Sequence, residues 1–444
     1  VASKKSVGAE KTVGAGTKVQ VALDFVDLGR AMKVARAAVE AGAEILEAGT
    51  PLIKSEGLDA VRRLRSTFPH VRIVADMKTM DAGRIEMESA AKAGAHLAVV
   101  LGAASDATIR ECIKAGQNYG IEVGVDMIGV SDPCARAREC EAWGAASIGL
   151  HTPIDEQMRG GSDAFALVRA VRKVVTIPLA VAGGLNSESV VDAVHAGADV
   201  VVIGGAVTKA ADPVKATQDI LLAVRSLKKI KTDLYRRVGI QNIRGILEKV
   251  STANISDGNH RWPMIEGVRP IQPGLKMVGP AVTVRTYPGD WAKPVEAIDL
   301  AAPGDVIVID AGGVLPAVWG ELATHSCLAR KVGGVVIHGA IRDTADIRRM
   351  KFPAFATLVT GQAGEPKGLG EINVPITVTG IRIMPGDWVV GDDDGVIVLP
   401  KAEAVELTNR AMDCLERENR IRAEIDQGKT TLAQVTELLK WEKK

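Results

Sequence analysis

The residues best able to do chemistry sit at the ends of short apolar runs. Asp76, Lys78 and Asp81 fall within the stretch Asp76-Met77-Lys78-Thr79-Met80-Asp81, directly after the run at 72–75. Asp24 closes the run at 19–23, Glu47 lies in 44–48 just before Gly49-Thr50, and His151 follows 147–150. Two or three carboxylates converging with a lysine would hold a hard cation such as Mg2+ through oxygen and keep the ammonium charged between them. Such a centre would stabilise an enediolate. Taken singly, each residue also has a plainer reading: Asp76 and Lys78 fit an ordinary strand-end ion pair, and His151 fits a packed or capping histidine. Their common placement is what makes the set informative. His96 and His195 fall at the other end of the same framework and are read as structural.

That framework is repetitive. Apolar runs at 19–23, 44–48, 72–75, 97–101, 122–125, 147–150, 179–182 and 200–203 each precede a helix-like stretch rich in Ala, Arg, Glu and Val. The alternation predicts repeated βα units around a buried parallel sheet. Eight units predict a (β/α)8 barrel, whose catalytic side chains project from the C-terminal strand ends. Ala-Gly-Ala at 41–43, 93–95 and 196–198 predicts helices ending in left-handed glycine caps just before a strand. Gly183-Gly184 after the seventh run and Gly204-Gly205 after the eighth occupy the loops where this fold commonly holds phosphate through backbone N–H groups. Gly184, Gly204 and Gly205, with Asp24, are therefore expected to face a phosphorylated substrate.

A chain of 444 residues exceeds one ordinary core, so a second domain is expected. The boundaries read as a barrel at 18–227, a linker at 228–239, a second α/β domain at 240–425 and a helical tail at 426–444. Lys228-Lys229-Ile230-Lys231 reads as a solvated connector. Beyond it Pro and Gly become frequent, and short strands are expected at 281–285, 306–310, 334–338 and 395–399. With 55 basic against 54 acidic side chains, the net charge of +1 predicts neither a nucleic-acid nor a membrane surface. The five cysteines are scattered without metal spacing, and no apolar run is long enough to span a bilayer, which together fit a cytoplasmic protein.

Residues 18–213 resemble 3-hexulose-6-phosphate synthase, in the orotidine-monophosphate-decarboxylase superfamily. The resemblance rests on Val21-Ala22-Leu23-Asp24, Glu47-Ala48-Gly49-Thr50-Pro51-Leu52-Ile53-Lys54, the DxKxxD motif at Asp76 to Asp81, His151-Thr152-Pro153-Ile154-Asp155 and the two glycine loops. It implies an Mg2+-dependent aldol reaction, with Mn2+ able to serve, joining formaldehyde to ribulose 5-phosphate or running in reverse. It further implies that Glu47 and Asp76 bind the metal, that Lys78 and Asp81 contact substrate and organise charge, and that His151 shuttles the C1 proton. Gly205 stands where such families often have an arginine, which shifts phosphate binding toward backbone amides. Ile154 replaces the arginine of relatives that decarboxylate keto-gulonate phosphate, which argues against that activity.

Residues 240–425 resemble the RraA-like family, which includes ribonuclease regulators and class II aldolases acting on 2-oxo acids such as 4-hydroxy-4-methyl-2-oxoglutarate or decarboxylating oxaloacetate. The resemblance rests on Ser251 to Asp257, Gly279 to Val284, Pro303 to Val306, Trp319 to Ala323 and Gly339 to Asp343. Catalytic members have an acidic residue, twenty intervening residues and Arg-Asp, a spacing met by Glu321 and Arg342-Asp343. The resemblance assigns Asp343 to the metal, Arg342 to the substrate carboxylate and Glu321 to a proton-moving water. His325 and His338 are read as structural. It also implies a homo-oligomer, hexameric if barrels pair while RraA-like domains form trimers. The alternative is a regulatory or scaffolding protein whose second domain is a non-catalytic ribonuclease regulator.

Overall fold

The computed structural model describes residues 16–151, 165–234, 237, 239, 242–428 and 430–436. They divide into two compact units, one drawing on 16–234 and 416–436, the other on 237–415.

The first unit holds eight strands: β1 (Lys18–Leu23), β2 (Ile45–Ala48), β3 (Arg72–Thr79), β4 (Leu97–Leu101), β5 (Glu122–Asp126), β6 (Ser147–His151), β7 (Leu179–Ala182) and β8 (Val200–Ile203). They close in sequence order into a parallel barrel. Side chains alternate along each strand, so β2, β3, β4 and β8 feed two cores. Val21, Leu23, Leu46, Ile73 and Ala75 pack outward against the helices. Ile45, Val74 and Leu97 form a separate cluster, with Val99 and Val200 against it, that floors the barrel interior. Glu47 and Asp76 each lie two residues beyond a floor residue and therefore face the same way. Register completes the set, pairing Ala22 with Glu47 and Glu47 with Val74, which leaves Asp24, Glu47 and Asp76 at neighbouring strand ends.

Gly42, Gly94 and Gly197 adopt positive φ at helix ends, as the Ala-Gly-Ala pattern predicts. One boundary differs with consequence. The third strand runs past Ala75 to Thr79 because its pairing with β4 shifts register between those residues, and Lys78 sits in the bulge at φ 45°. A bulge re-aims a side chain that regular pleating would send elsewhere.

The connector is solvated at its lysines but not along its whole length. Lys228, Lys229 and Lys231 are exposed, whereas Ile230 is half-buried and exchanges hydrogen bonds with Ser187, its N–H reaching Ser187 O at 3.1 Å and its carbonyl accepting Ser187 Oγ at 2.8 Å. The 416–436 return also bonds to the barrel, through Arg420 Nη1 to Thr208 O at 3.0 Å and Arg30 Nη1 to Val435 O at 2.7 Å.

The second unit is built on β9 (Met264–Ile265), β10 (Arg269–Pro270), β11 (Met277–Thr286), β12 (Val306–Asp310), β13 (Ala317–Trp319), β14 (Gly334–Ile341), β15 (Ala354–Val359), β16 (Gly370–Ile372), β17 (Ile376–Val378), β18 (Ile381–Ile383), β19 (Trp388–Asp392) and β20 (Gly395–Leu399). Its main sheet runs β10-β15-β14-β12-β11-β19-β20-β9, parallel from β11 through β12 and β14 to β15. The central strand β12 is Val and Ile but for its terminal Asp310, and the parallel strands are buried on both faces, Val284, Ile309, Val335 and Ile341 entering one core and Val306, Val308, Val336 and Phe355 the other. Among the described residues no helix is long and apolar enough to cross a membrane.

Candidate active site

At the barrel mouth Glu47 and Asp76 are buried, while Asp24 is exposed into the concavity between two glycines. A Cβ on Gly49 would lie 2.1 Å from Asp24 Oδ1, and one on Gly204 3.4 Å from Asp24 Oδ2. The bulge brings Lys78 Nζ to 3.0 Å from Asp76 Oδ2 and 3.1 Å from Asp126 Oδ2. Asp126 Oδ2 lies 3.8 Å from His151 Nδ1, and Asp126 Oδ1 accepts the Ile128 N–H at 3.0 Å. Thr50 Oγ1 sits 2.7 Å from Asp76 Oδ2, and Gln20 Nε2 donates to Glu47 Oε2.

Charge is unevenly shared across this cluster. Asp24 is open to solvent yet recessed in the concavity, where loss of hydration raises its pKa and the neighbouring Asp76 adds to the shift. Burial pushes Glu47 well above the usual carboxylate range, with Asp76 and then Asp24 reinforcing the shift. Burial would lower Lys78, yet Asp76 and Asp126 outweigh it and hold the ammonium above its ordinary value. Burial would raise Asp126, but the neighbouring His151 and the Lys78 charge bring it below the usual range. Lys78 is thus shared between two carboxylates, and although it also draws Asp24 and Glu47 down, with Lys209 helping at Asp24, both acids stay raised. A set of oxygen donors with excess negative charge fits a hard divalent cation.

The structure brings Asp24, Glu47, Asp76, Lys78 and His151 together. It does not bring Asp81, which is exposed with its carboxylate accepting the N–H of Ala82 at 2.7 Å. Gly184 has φ +66° after β7, and Gly204 and Gly205 lead into the helix Gly205–Thr208 after β8. Thr152, Pro153, Ile154 and Asp155 lie outside the described residues. Three partners go beyond the residues expected from sequence: Asp126, Thr50 and Gln20. Asp126 carries a visible signal, since it is the polar residue closing the fifth apolar run. Thr50 and Gln20 carry none, being one hydroxyl and one amide among many.

The crowding at Gly49 makes a specific prediction. Gly49 has φ −65°, which alanine tolerates, so Gly49→Ala should fold while its methyl displaces the Asp24 carboxylate. The expected result is a fall in kcat/KM of about 10- to 100-fold, the scale of an ångström misplacement at a reacting centre. Kinetics beside a thermal melt checks it, and an unaltered kcat/KM would show that Asp24 is not needed where it stands.

In the second unit, β13 and β14 end together. Glu321 opens the helix Glu321–Arg330 after Gly320, and its N–H donates to Asp343 Oδ2 at 3.1 Å. Arg342 Nε lies 3.4 Å from the same oxygen. Asp343 is held at φ +56°, a conformation that a short polar side chain tolerates better than most. A Cβ on Gly320 would come within 2.6 Å of Asp343 Oδ2, so the close approach requires glycine. Glu321, Arg342 and Asp343 therefore form one cluster at the C-terminal edge of the parallel strands, where open α/β sheets bind ligands. One carboxylate flanked by a guanidinium suits a cation completed by an acidic ligand and water. His325 Nε2 pairs with Glu321 Oε1 at 2.9 Å, and His338 Nδ1 with Asp310 Oδ1 at 2.9 Å.

Comparison with known proteins follows the same division. Residues 17–220 match the family described as orotidine 5'-phosphate decarboxylase / HUMPS, and residues 252–398 match the RraA-like family described as Aldolase/RraA. The 3-hexulose-6-phosphate synthase of Mycobacterium gastri is 41% identical over 207 residues, 47% of this chain and 99% of that protein. The enzyme of the same name from Methylomonas aminofaciens is 39% identical over 201 residues, 45% of this chain and 96% of its own length. A solved structure of the RNA-processing inhibitor RraA from Thermus thermophilis is similar at 28% identity, covering 34% of this chain and 92% of that one with a TM-score of 0.32. The chain thus belongs, through its barrel, to the orotidine 5'-phosphate decarboxylase / HUMPS family as an enzyme of lyase type, and carries an RraA-like domain later in the sequence.

Proposed function

We propose that the barrel joins formaldehyde to ribulose 5-phosphate in a Mg2+-dependent aldol condensation giving 3-hexulose 6-phosphate, or runs the reverse cleavage. The observation that carries this reading is the shared lysine: Lys78 lies between Asp76 and Asp126 while Asp24 and Glu47 crowd the same mouth. Glu47 and Asp76 would hold the metal. When bound, Mg2+ draws electron density from the ketose oxygens and makes the C1 proton easier to remove. Asp126 Oδ2 lies 3.8 Å from His151 Nδ1 and would orient the ring by closing to hydrogen-bond distance, leaving Nε2 to take that proton. The C1 carbon then forms a bond to the carbon of formaldehyde, whose oxygen takes up a proton. Lys78, fixed and fully charged, stabilises negative charge developing on the substrate oxygens. The substrate phosphate would rest on backbone amides around Gly184, Gly204 and Gly205, with Asp24 left to meet the substrate's hydroxyl groups.

The second unit is read as a 2-oxo acid lyase, with Arg342 holding the substrate carboxylate, Asp343 the metal and Glu321 a water. Its support is the Glu321 to Asp343 contact, which joins residues 22 apart in sequence. The second domain, expected over 240–425, would end within the long helix Ala404–Asp426, whose residues from 416 on group with the barrel, and the chain would assemble as a cytoplasmic homo-oligomer.

The test is direct. Purified protein incubated with formaldehyde and ribulose 5-phosphate should form hexulose phosphate, lose that activity on addition of chelator and regain it with Mg2+ or Mn2+. Full activity under chelation would sink the metal-dependent mechanism.

A further inference from the structure

The two carboxylates assigned to the metal are each gripped from outside by a neutral hydrogen-bonding side chain. Gln20, 7% exposed on β1, donates through Nε2 to Oε2 of Glu47, itself 8% exposed on β2. Thr50, in the first turn of the helix Thr50–Glu56 that follows β2, places its hydroxyl 2.7 Å from Asp76 Oδ2 and 2.9 Å from the Asp76 carbonyl. Gln20 is not a surface residue paired by accident. An amide in a barrel interior floored by Ile45, Val74 and Leu97 costs free energy unless it is hydrogen-bonded, and its partner here is an acid.

The geometry points to Gln20 and Thr50 as the outer shell of the barrel metal site, positioning residues that set cation affinity by fixing Glu47 and Asp76. This rests on the reading of Glu47 and Asp76 as ligands. Gln20 occupies one oxygen of Glu47, and at Asp76 the Thr50 hydroxyl meets Oδ2 while Lys78 Nζ lies 3.1 Å from Oδ1, contacts that fix the rotation of each group and still leave lone pairs for an ion. Both are neutral, a property that matters because the mouth already holds one lysine. A second cationic donor would hold the carboxylates equally well but would repel the metal, whereas an amide or hydroxyl steadies the acid without opposing the ion. Outer-shell partners of this kind change metal affinity by about 10- to 100-fold when removed. Neither residue touches the reacting atoms, so their loss should be felt in metal occupancy before it is felt in turnover at saturating metal.

The experiment measures Mn2+ binding without substrate, by the loss of the free-ion electron paramagnetic resonance signal. It uses the full chain in an Asp343→Asn background, so that the second unit's proposed site does not contribute. Gln20→Met and Thr50→Val are each expected to raise the Mn2+ Kd by about 10- to 100-fold, and Thr50→Ser to restore it to within about threefold. Thermal melts confirm folding, and Gln20→Leu replaces Gln20→Met if the latter fails to fold. In the condensation assay, activity in Gln20→Met should recover with raised metal concentration. Glu47→Gln and Asp76→Asn in the same background separate the two levels of the argument. If they abolish Mn2+ binding while Gln20→Met and Thr50→Val leave the Kd unaltered, the outer-shell role is overturned and the ligand reading stands. If they too leave Mn2+ binding unaltered, the ligand reading itself fails. Equal weakening by Thr50→Ser and Thr50→Val would overturn the role of the Thr50 hydroxyl.

Discussion

Asp76→Asn is expected to lower kcat/KM for condensation of formaldehyde with ribulose 5-phosphate by about 10³-fold or more, roughly 4 kcal/mol of transition-state stabilisation. The magnitude follows from how much converges on this one carboxylate. Asp76 is 7% exposed, takes Lys78 Nζ at 3.0 Å and Thr50 Oγ1 at 2.7 Å, and its charge contributes to the raised pKa of both Asp24 and Glu47. Asparagine keeps the shape and can still accept from Thr50, so the fold and floor should survive. What it loses is the charge that would hold a cation and that half-commits Lys78. With Asp76 neutral, repulsion on Glu47 falls and its carboxyl should titrate nearer the ordinary range, but one of the two proposed metal donors would be gone. The measurement is steady-state kinetics at several Mg2+ concentrations beside a thermal melt. A rate within threefold of the parent protein would refute the barrel mechanism.

The barrel was legible because its signals are local. Each strand is a run of four to eight residues with contiguous apolar content, several follow a glycine-ended helix, and eight such runs make parallel closure legible. The mouth was legible to the extent that one rule, the polar residue closing an apolar run, finds Asp24 and His151. Applied at Asp126, it also finds the partner that both Lys78 and His151 use. Other features required three dimensions. The positive φ at Lys78 is imposed by the register shift between β3 and β4, and nothing in Asp-Met-Lys announces it. The same excursion ends with Asp81 exposed rather than beside Asp76, although spacing in the motif treats them alike. Gln20 and Glu47 are 27 residues apart, and their contact depends on β1 and β2 being paired in one register. In the second unit, the spacing of Glu321 to Arg342-Asp343 was visible as a pattern, but the reason for it was not. Asp343 must turn through a left-handed conformation to meet the N–H of Glu321, and Gly320 must lack a Cβ to let it.

That turn underlies the second large expected effect: Asp343→Asn should lower metal-dependent decarboxylation of oxaloacetate by about 10³-fold, while the barrel condensation stays within about twofold of the parent rate. Asp343 is the carboxylate on which the cluster closes, since Glu321 N–H and Arg342 Nε both address its Oδ2 at 3.1 and 3.4 Å. Asparagine tolerates the left-handed conformation about as well as aspartate, so the backbone at φ +56° need not move. The substitution therefore removes charge and leaves geometry, which separates a catalytic role from a structural one. Arg342→Lys should fail differently. A lysine retains the charge but presents no planar fork, so a 2-oxo acid carboxylate would be held more loosely, raising KM more than it lowers kcat. Product formation from oxaloacetate, followed with Mg2+ or Mn2+ present and corrected for the metal-catalysed background, distinguishes the two. Were the parent protein to show no decarboxylation above that background, and no cleavage of 4-hydroxy-4-methyl-2-oxoglutarate, the lyase reading of the second unit would fail. The Glu321–Asp343 contact would then be part of a fold that serves binding or regulation. Were Asp343→Asn instead to abolish both activities together, the barrel could not be treated as an independent enzyme, and the two lyase sites would have to be coupled.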